Sequence, residues 1–122
     1  MAQRVPRTRG GGRYTEAQYF AKIRQVIRNA SQRWPPKSDV LKKASRPYKG
    51  PNKKRKLEYQ CALCYNWFPK DDVEVDHFPI ACGPCNSVET IGQFAMNVLC
   101  EEDNLRVLCT PCHKKETHKY GH

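Results

Sequence analysis

Three Cys-x-x-Cys pairs constrain this chain more than any other feature of its sequence. They are Cys61/Cys64, Cys82/Cys85 and Cys109/Cys112. Two cysteines spaced i, i+3 on a tight turn present two thiolates to one tetrahedral ion, so the pattern favours metal binding over disulfides. A chain of 122 residues, of which 39% are hydrophobic, buries only a small core. We therefore expect a bound metal to stabilise the fold.

The charged residues are divided unevenly along the chain. Residues 1–56 contain 17 Lys and Arg against two acidic residues, whereas residues 57–122 contain 5 against 10. This asymmetry predicts a basic arm that holds a polyanion and an acidic body that carries the cysteines. The alternative is that the basic excess is only a solubilising face or a disordered tail. The chain shows no apolar N-terminal segment and no membrane-crossing run, and its thiols fit a reducing cytoplasm.

The composition divides the chain into three segments. Residues 1–14, rich in Arg and Gly, are predicted to be a disordered basic tail. Residues 15–56 are predicted to be a basic helical arm and linker. Within the arm, "TEAQ" at residues 15–18 is a capping-box pattern that begins a helix, and the Pro35-Pro36 pair ends it near residue 33. A short helix capped by Ser38 follows, and residues 57–122 form the body.

The body contains a polar dipeptide at the end of a predicted strand. "VEVDH" alternates in hydrophobicity and delivers Asp76 and His77 at its end, and "SVETIGQFAMNVLC" is predicted to be a helix. Asn104 stands at a turn before a second strand. Thr110 is then a good N-cap for a closing helix, which carries His113 in its first turn. An imidazole supplies a base that is neutral near pH 7, and an aspartate supplies a hard oxygen ligand for a divalent cation.

Together, "VDHFPI", "DNLRVLC" and "CTPCHKKET" resemble the motif of HNH endonucleases, in the form framed by two zinc knuckles. The resemblance covers about residues 58–118. It implies an α+β fold: a small ββα-metal HNH domain framed by a four-cysteine zinc site, with the basic helical arm at its N-terminus. It also implies that His77 is the general base and that Asp76 and His113 bind a catalytic divalent ion such as Mg²⁺, Mn²⁺ or Ni²⁺. Asn104 would either order the loop or contribute to the metal site.

A weaker resemblance concerns the insert before Asn104. Its length, with "IRNASQRWPP" and "IGQF", is similar to that of small HNH proteins of bacteriophage genomes. This implies a location in the host-cell cytoplasm and makes phage packaging (terminase) proteins candidate partners. The sequence departs from the family at Glu116, where a lysine is common, and this puts the local DNA contact in doubt.

The cysteines allow two partitions around a structural zinc. Spacing and resemblance favour the outer pairing, which ties both ends of the motif together through Cys61, Cys64, Cys109 and Cys112. In that pairing His113 would be a fifth ligand, against the usual four of structural zinc, and is therefore free for a second metal. A common zinc spacing is also satisfied by Cys61, Cys64, Cys82 and Cys85. In the outer pairing, Cys82 and Cys85 would be an incomplete second metal site, a redox-sensitive pair or small buried residues, and Cys100 a small hydrophobe.

The sequence therefore predicts a metal-dependent HNH endonuclease that hydrolyses DNA phosphodiester bonds. His77 would activate water, and phosphates would be bound by basic side chains, namely Arg24, Arg28, Lys53, Lys54, Arg55, Lys56, Lys114 and Lys115. The alternative is a non-catalytic, zinc-stabilised DNA-binding or packaging accessory protein on the same scaffold. A thiol redox protein is disfavoured, because none of the Cys-x-x-Cys pairs follows a βαβ pattern.

Overall fold

The structure, a computed structural model, describes residues 4–120, with side chains through Thr117. Over this range it is a small α+β domain of four α-helices and two small antiparallel sheets. The helices are α1 (Glu16–Ala30), α2 (Pro35–Lys43), α3 (Val88–Val98) and α4 (Thr110–Tyr120). The strands are β1 (Ser45–Pro47), β2 (Leu57–Gln60), β3 (Trp67–Phe68), β4 (Val73–His77) and β5 (Leu105–Cys109). No helix in the described range is both long and apolar enough to cross a membrane.

The two sheets have different origins in the chain. The first is local and has the order β1-β2-β3. The second pairs β4 with β5 across the segment that contains α3, with Val73 opposite Cys109 and His77 opposite Leu105. Helix α4 follows β5 directly and contacts both strands of this sheet. The polar end of β4 and the first turn of α4 are therefore held on one small framework.

Helix α1 begins as the capping-box pattern predicts. The Thr15 Oγ1 accepts the N–H of Gln18 at 3.2 Å, and the Gln18 Oε1 accepts the N–H of Thr15 at 2.9 Å. These reciprocal bonds satisfy two of the donors that a helix start leaves free. The helix ends at Ala30, and a 3₁₀ turn over Ser31–Arg33 completes the segment expected to be helical.

The Pro35-Pro36 pair has a second effect that the sequence reasoning did not predict. It stands after the end of the first helical segment, as expected, but it also opens α2, which the sequence analysis began at Ser38. Proline suits the first turn of a helix because its missing N–H has no helical partner there and its φ is already helical. Helix α2 therefore begins before the predicted cap at Ser38.

The linker before residue 57 is a β-hairpin rather than an extended connection. Strand β1 pairs with β2, with Ser45 opposite Tyr59 and Pro47 opposite Leu57. The N–H of Tyr48 then donates to the carbonyl of Lys56 at 2.9 Å. Strand β1 of the predicted arm thus forms a sheet with strands of the body. The predicted boundary between residues 56 and 57 falls inside this hairpin.

The described part of the N-terminal tail also differs from the predicted disorder. Residues 4–14 contain a tight turn in which the N–H groups of Arg9 and Tyr14 each donate to the other residue's carbonyl. The Arg9 Nε lies 2.8 Å from Glu16 Oε1, and its guanidinium lies 4.5 Å from the centre of the Tyr19 ring. The reason for the turn is Gly10–Gly12, whose positive φ angles allow the chain to reverse. Residues 1–3 of the predicted tail lie outside the described residues.

Two small clusters form the core. One contains Phe94 and Val98 of α3 with Cys85, and the apolar stripe of α1 packs on it through Ile23 and Ile27. The other joins Leu108 to two buried cysteines, Cys61 and Cys109, with Phe68 packed beside them. The first cluster fixes the basic arm on the body, and the second lies where the cysteine pairs meet.

Candidate functional site

Four cysteines from distant parts of the chain meet at the second core cluster. The sulfur atoms of this cluster all lie within 4.8 Å of one another, and its members are Cys61, Cys64, Cys109 and Cys112. The Cys64 and Cys109 sulfurs are 3.9 Å apart. Two thiolates bound at about 2.3 Å to one tetrahedral zinc would stand close to this distance. The donor set therefore fits a structural zinc ion.

The turn after β2 prepares Cys61 for a metal. The N–H groups of Leu63 and Cys64 donate to the Cys61 sulfur at 3.4 and 3.5 Å. Burial raises the pKa of this thiol, but the backbone donors outweigh burial and lower the pKa to about 6. Tyr65 closes the turn with a φ of 62°. The thiolate, which is the form that binds metals, is thus favoured at Cys61.

The cysteines at the end of β5 and in the first turn of α4 show the opposite shift. Burial raises the pKa of Cys109, and the hydrogen bond with the neighbouring Cys109 thiol raises the pKa of Cys112 to about 12. Several thiolates this close together repel one another, so protons stay on some sulfurs until a cation replaces them. Metal binding at this cluster is therefore expected to release protons.

The cysteine pair in the insert takes no part in this cluster. Cys85 is buried beside Phe94, and Cys82 lines a different cleft, where burial raises the pKa of its thiol. Cys100 lies near the carbonyl of Asn104 at 3.9 Å. The geometry therefore matches the outer partition of the cysteines, and the alternative partition through Cys82 and Cys85 is not formed.

A second site is a cleft of about 430 Å³ between the end of β4, the start of α4 and the basic arm. We call it the His77 cleft. Its chemically active lining residues are Arg28, Lys37, Glu74, Asp76, His77, Cys82 and His113. The structure thus brings together three of the residues that sequence reasoning assigned to a catalytic centre, namely Asp76, His77 and His113. Helices α1 and α2 each add one cation to the same space.

His113 is held between two carboxylates of β4. Its Nδ1 lies 2.6 Å from Oε2 of Glu74, and its Nε2 lies 3.6 Å from Oδ1 of Asp76. Because Glu74 and Asp76 are two residues apart on a strand, their side chains project on the same side. The shorter contact fits donation from Nδ1–H to Glu74, which directs Nε2 towards Asp76.

Asp76 is a buried carboxylate with one firm partner. It is 3% exposed, and its Oδ2 accepts a hydrogen bond from the Arg106 Nε at 3.0 Å. Arg106 lies opposite Asp76 in the β4–β5 register and also contacts Glu116 at 3.1 Å. Its guanidinium rests 3.8 Å from the centre of the Phe78 ring. This pairing stabilises the charge of Asp76 and leaves Oδ1 directed to His113.

His77 is fixed by a backbone contact. Its Nε2 lies 3.1 Å from the carbonyl oxygen of Val98, which can only accept a hydrogen bond, so this nitrogen carries the proton. Burial lowers the pKa of His77 below its ordinary value. The ring is therefore neutral near pH 7, with Nδ1 as its acceptor, and this is the form that a general base requires.

Asn104 lies apart from the His77 cleft. Its Oδ1 accepts the N–H of Ile80 at 2.8 Å, and its Nδ2 donates to the carbonyl of Ile80 at 2.9 Å. The Asn104 carbonyl also accepts the N–H of Phe78 at 3.1 Å. These hydrogen bonds order the loop at Ile80, and the Asn104 side chain is not among the residues that line the cleft with Asp76 and His113.

The predicted phosphate-binding residues lie in three places. Arg28 lines the His77 cleft, and Arg24 donates to the Cys85 carbonyl at 3.4 Å nearby. The loop between β1 and β2 carries four of the predicted cations, residues 53–56. Lys114 and Lys115 are exposed on α4. Of the predicted phosphate-binding residues, only Arg28 lines the His77 cleft.

Three residues of the site were missed by sequence reasoning. Glu74 was detectable, because the alternation that presents Asp76 on one side of β4 presents Glu74 on the same side. Arg106 and Lys37 carry no comparable local signal. Their positions depend on the β4–β5 register and on the packing of α2, which are long-range properties of the fold.

No family model, curated protein or solved structure matches this chain. The chemistry of the site therefore rests on the donor atoms, distances and burial of its own residues. Two features stand out in the described residues: a four-thiol cluster that could hold a metal, and a cleft where two histidines, two carboxylates and two cations meet.

Proposed function

We propose that the protein is a metal-dependent HNH-type endonuclease that hydrolyses DNA phosphodiester bonds. One observation carries the proposal: Asp76, His77 and His113 line a single cleft together with Arg28 and Lys37. Phosphodiester hydrolysis needs a neutral base, a way to hold a divalent cation, and positive charge for the phosphate. Each of these requirements has a candidate residue in this cleft.

The order of the elements supports the same family. Strand β4 ends with Asp76-His77, β5 pairs with it, and α4 follows with His113 in its first turn. This is the strand, strand, helix order that the HNH resemblance implies. A phage origin, a host-cytoplasm location and terminase partners are predictions that rest on the resemblance alone.

The residues present fit a catalytic divalent ion as an open site. Oδ1 of Asp76 and Nε2 of His113 are 3.6 Å apart, which is too far for a hydrogen bond but within reach of one ion that binds each at about 2.1 Å. Among the described residues, no third protein donor completes a cluster there, so water and phosphate oxygens would fill the remaining positions. Such an ion, when bound, would stabilise charge on the phosphoryl and leaving oxygens.

The remaining steps fall to the side chains of the cleft. His77 accepts a proton from the attacking water at Nδ1, while its Nε2–H stays bonded to the Val98 carbonyl. Arg28 and Lys37 orient the phosphate by charge. Arg106 holds Asp76 in place from β5, as Glu74 holds His113 from β4.

We further propose that a zinc ion at the four-cysteine cluster positions α4. Cys109 ends β5, and Cys112 lies one residue before His113 in the chain. Successive helix residues differ by about 100° in direction, so Cys112 can bind zinc while His113 points to β4. The zinc would thereby fix the orientation of the catalytic helix as well as the core.

A non-catalytic DNA-binding or packaging accessory protein is the second candidate. The observation that favours it is that the polar groups of the cleft already have protein partners. Arg106 pairs with Asp76, Glu74 with His113, and the carbonyl of Val98 with His77. In this alternative the cleft is a structural network, and the zinc-stabilised domain binds DNA without cutting it.

Cleavage of supercoiled plasmid distinguishes the two candidates. Wild-type protein and His77→Ala would be purified in parallel and assayed with added Mg²⁺, Mn²⁺ or Ni²⁺, with zinc content and DNA affinity measured on the same samples. An endonuclease nicks or linearises the plasmid, and His77→Ala loses this activity while it keeps zinc and DNA binding. If neither protein cleaves the plasmid with any of the metals, and both still bind DNA, the protein would be the accessory protein instead.

A further inference from the structure

We propose that a second cleft, beside the three-stranded sheet, binds a single-stranded segment of nucleic acid. This basic cleft has a volume of about 500 Å³, and its chemically important lining residues are Lys54, Arg55, Lys56, Tyr59, Lys70 and Asp71. None of its lining residues also lines the His77 cleft. It therefore belongs to a different part of the surface from the proposed catalytic centre.

The charge of the basic cleft selects an anion. Four cationic side chains line it against a single carboxylate, that of Asp71. Lys54 and Lys56 are exposed, and neither has an ion-pair partner among the described residues. A concave surface with this excess of positive charge attracts phosphate groups, and each phosphate contact releases counterions from the nucleic acid.

The loop that presents these cations is ordered by its own hydrogen bonds. Oδ1 of Asn52 accepts the N–H of Lys54, and the Asn52 carbonyl accepts the N–H of Arg55, both at 3.1 Å. The guanidinium of Arg55 lies 4.8 Å from the centre of the Tyr48 ring, which fixes its direction. The loop backbone and the Arg55 side chain are thus held in place before a ligand arrives, which lowers the entropy cost of binding.

An aromatic ring among the cations specifies the kind of strand. Tyr59 lines the cleft half-buried, and the Nζ of Lys70 lies 6.0 Å from the centre of its ring. Bases of a single strand stack on such rings while the backbone follows the adjacent positive charge. In a duplex the base faces are already stacked on one another, so a Tyr at the cleft wall favours an unpaired segment.

The two clefts are joined by a short piece of chain. Lys70 opens the 3₁₀ turn that leads directly into β4, and His77 ends that strand seven residues later. Seven residues span at most about 25 Å. A nucleic-acid strand bound in the basic cleft would therefore approach the His77 cleft. The substrate class would then be DNA with a single-stranded segment. This last step rests on the proposed function, whereas binding in the basic cleft does not.

Fluorescence anisotropy with labelled oligonucleotides tests the proposal without any cleavage. The probes are a mixed-sequence single strand and the duplex of the same length, titrated without added divalent metal at several salt concentrations. The variants are Lys54→Gln/Lys56→Gln and Tyr59→Leu. The matched control is Arg33→Gln/Lys42→Gln, which removes the same charge from exposed positions of the helical arm outside both clefts. Zinc content and thermal melting establish that each variant is folded.

The expected results differ between the two variants. Lys54→Gln/Lys56→Gln reduces the slope of log affinity against log salt by roughly 1.4 for the single strand, since each lost phosphate contact removes about 0.7. Tyr59→Leu weakens single-strand binding by roughly 5-fold or more, the effect of one lost stacking contact, and leaves duplex binding unchanged. The control keeps the wild-type slope.

Three outcomes would overturn the proposal. They are wild-type binding by both variants, an equal loss in the charge-matched control, and an equal loss for single strand and duplex in Tyr59→Leu. Failure of the proposed nuclease would look different. In that case the protein would bind single strands through these residues and cleave nothing with any metal.

Discussion

Glu74 Oε2 lies 2.6 Å from Nδ1 of His113, so a carboxylate on β4 determines which nitrogen of the α4 histidine stays free. A histidine that donates one ring N–H to a carboxylate has a fixed ring orientation and a more basic second nitrogen. That second nitrogen, Nε2, faces Oδ1 of Asp76 at 3.6 Å. Glu74 is thus a positioning residue for the proposed metal site, although the HNH resemblance did not include it.

Glu74→Ala should lower the affinity for the proposed catalytic metal by roughly 10- to 100-fold, the usual effect of losing such a carboxylate. We expect half-maximal plasmid cleavage to need correspondingly more Mn²⁺ or Mg²⁺, with much of the rate restored at saturating metal. Glu74→Gln should recover part of the affinity, because its amide oxygen can accept the same Nδ1–H. Metal titrations of initial cleavage rates measure both effects.

The control for this experiment is Glu89→Gln, an exposed carboxylate in the first turn of α3. It changes the net charge by the same amount and lies outside the His77 cleft. Superimposable metal titrations for wild type and Glu74→Ala would show that Glu74 does not position His113 for a metal.

The four-cysteine cluster predicts a specific pattern of zinc loss. Cys64→Ser should lower the zinc content well below one per chain and lower the melting temperature, because metal binding and folding are coupled in small domains. Cys82→Ser should keep its zinc, since Cys82 lies in the other cleft. Elemental analysis and thermal melting of both variants test this, and zinc loss in Cys82→Ser alone would restore the alternative partition.

Asn104→Ala should affect stability more directly than chemistry. Asn104 is 8% exposed and satisfies both the N–H and the carbonyl of Ile80. Its removal leaves these groups without their partner, at a cost of about 1–3 kcal/mol. We expect denaturant unfolding to show this loss, whereas Asn29→Ala on exposed α1 should stay within about 0.5 kcal/mol of wild type.

The opposite result for Asn104 would be informative. A large loss of cleavage with unchanged stability would return Asn104 to the catalytic centre, as the HNH resemblance also allowed. Cleavage by wild type and by Asn104→Ala should therefore be compared under conditions in which urea titration shows that both proteins are folded.

Local patterns in the sequence predicted much of the fold. The capping box at Thr15 predicted the start of α1. Thr110 with Pro111 predicted the start of α4 to within one residue, but Thr110 is the first residue of the helix rather than its N-cap, and its hydroxyl donates to the carbonyl of Asp72. These signals succeed because a helix end is determined by hydrogen bonds within a few residues. The spacing of the outer cysteines, with the family resemblance, also predicted the thiol cluster.

Features that depend on distant contacts were beyond the local signals. The pairing of Asp76 with Arg106 follows from the β4–β5 register, across 30 positions of the chain. The turn at Gly10–Gly12 looks disordered by composition, yet Arg9 and Glu16 hold it against α1. Each case depends on a specific side-chain partner, which neither composition nor hydrophobic periodicity identifies.

The most consequential of these long-range contacts concerns Lys37. The sequence predicts the basic arm and the cysteine-bearing body as separate segments, but α2 brings Lys37 into the His77 cleft, where its Nζ donates to Ser31 Oγ at 3.1 Å. Burial lowers the pKa of this amine below its ordinary value. Because Lys37 lines the cleft, we expect its amine to contact a phosphate bound there, and such a phosphate would favour the charged form again.

Lys37→Gln should lower kcat/KM for plasmid cleavage by about 10-fold or more, within the range for a lost charged contact to a reacting phosphate. The slope of log duplex affinity against log salt should also become shallower by about 0.9, the value of one phosphate contact. Lys37→Arg should recover part of both, whereas Lys42→Gln, an exposed lysine of the same helix, should remain near wild type. Equal slopes of log affinity against log salt for Lys37→Gln and wild type would show that Lys37 contributes charge to the cleft without contacting the DNA.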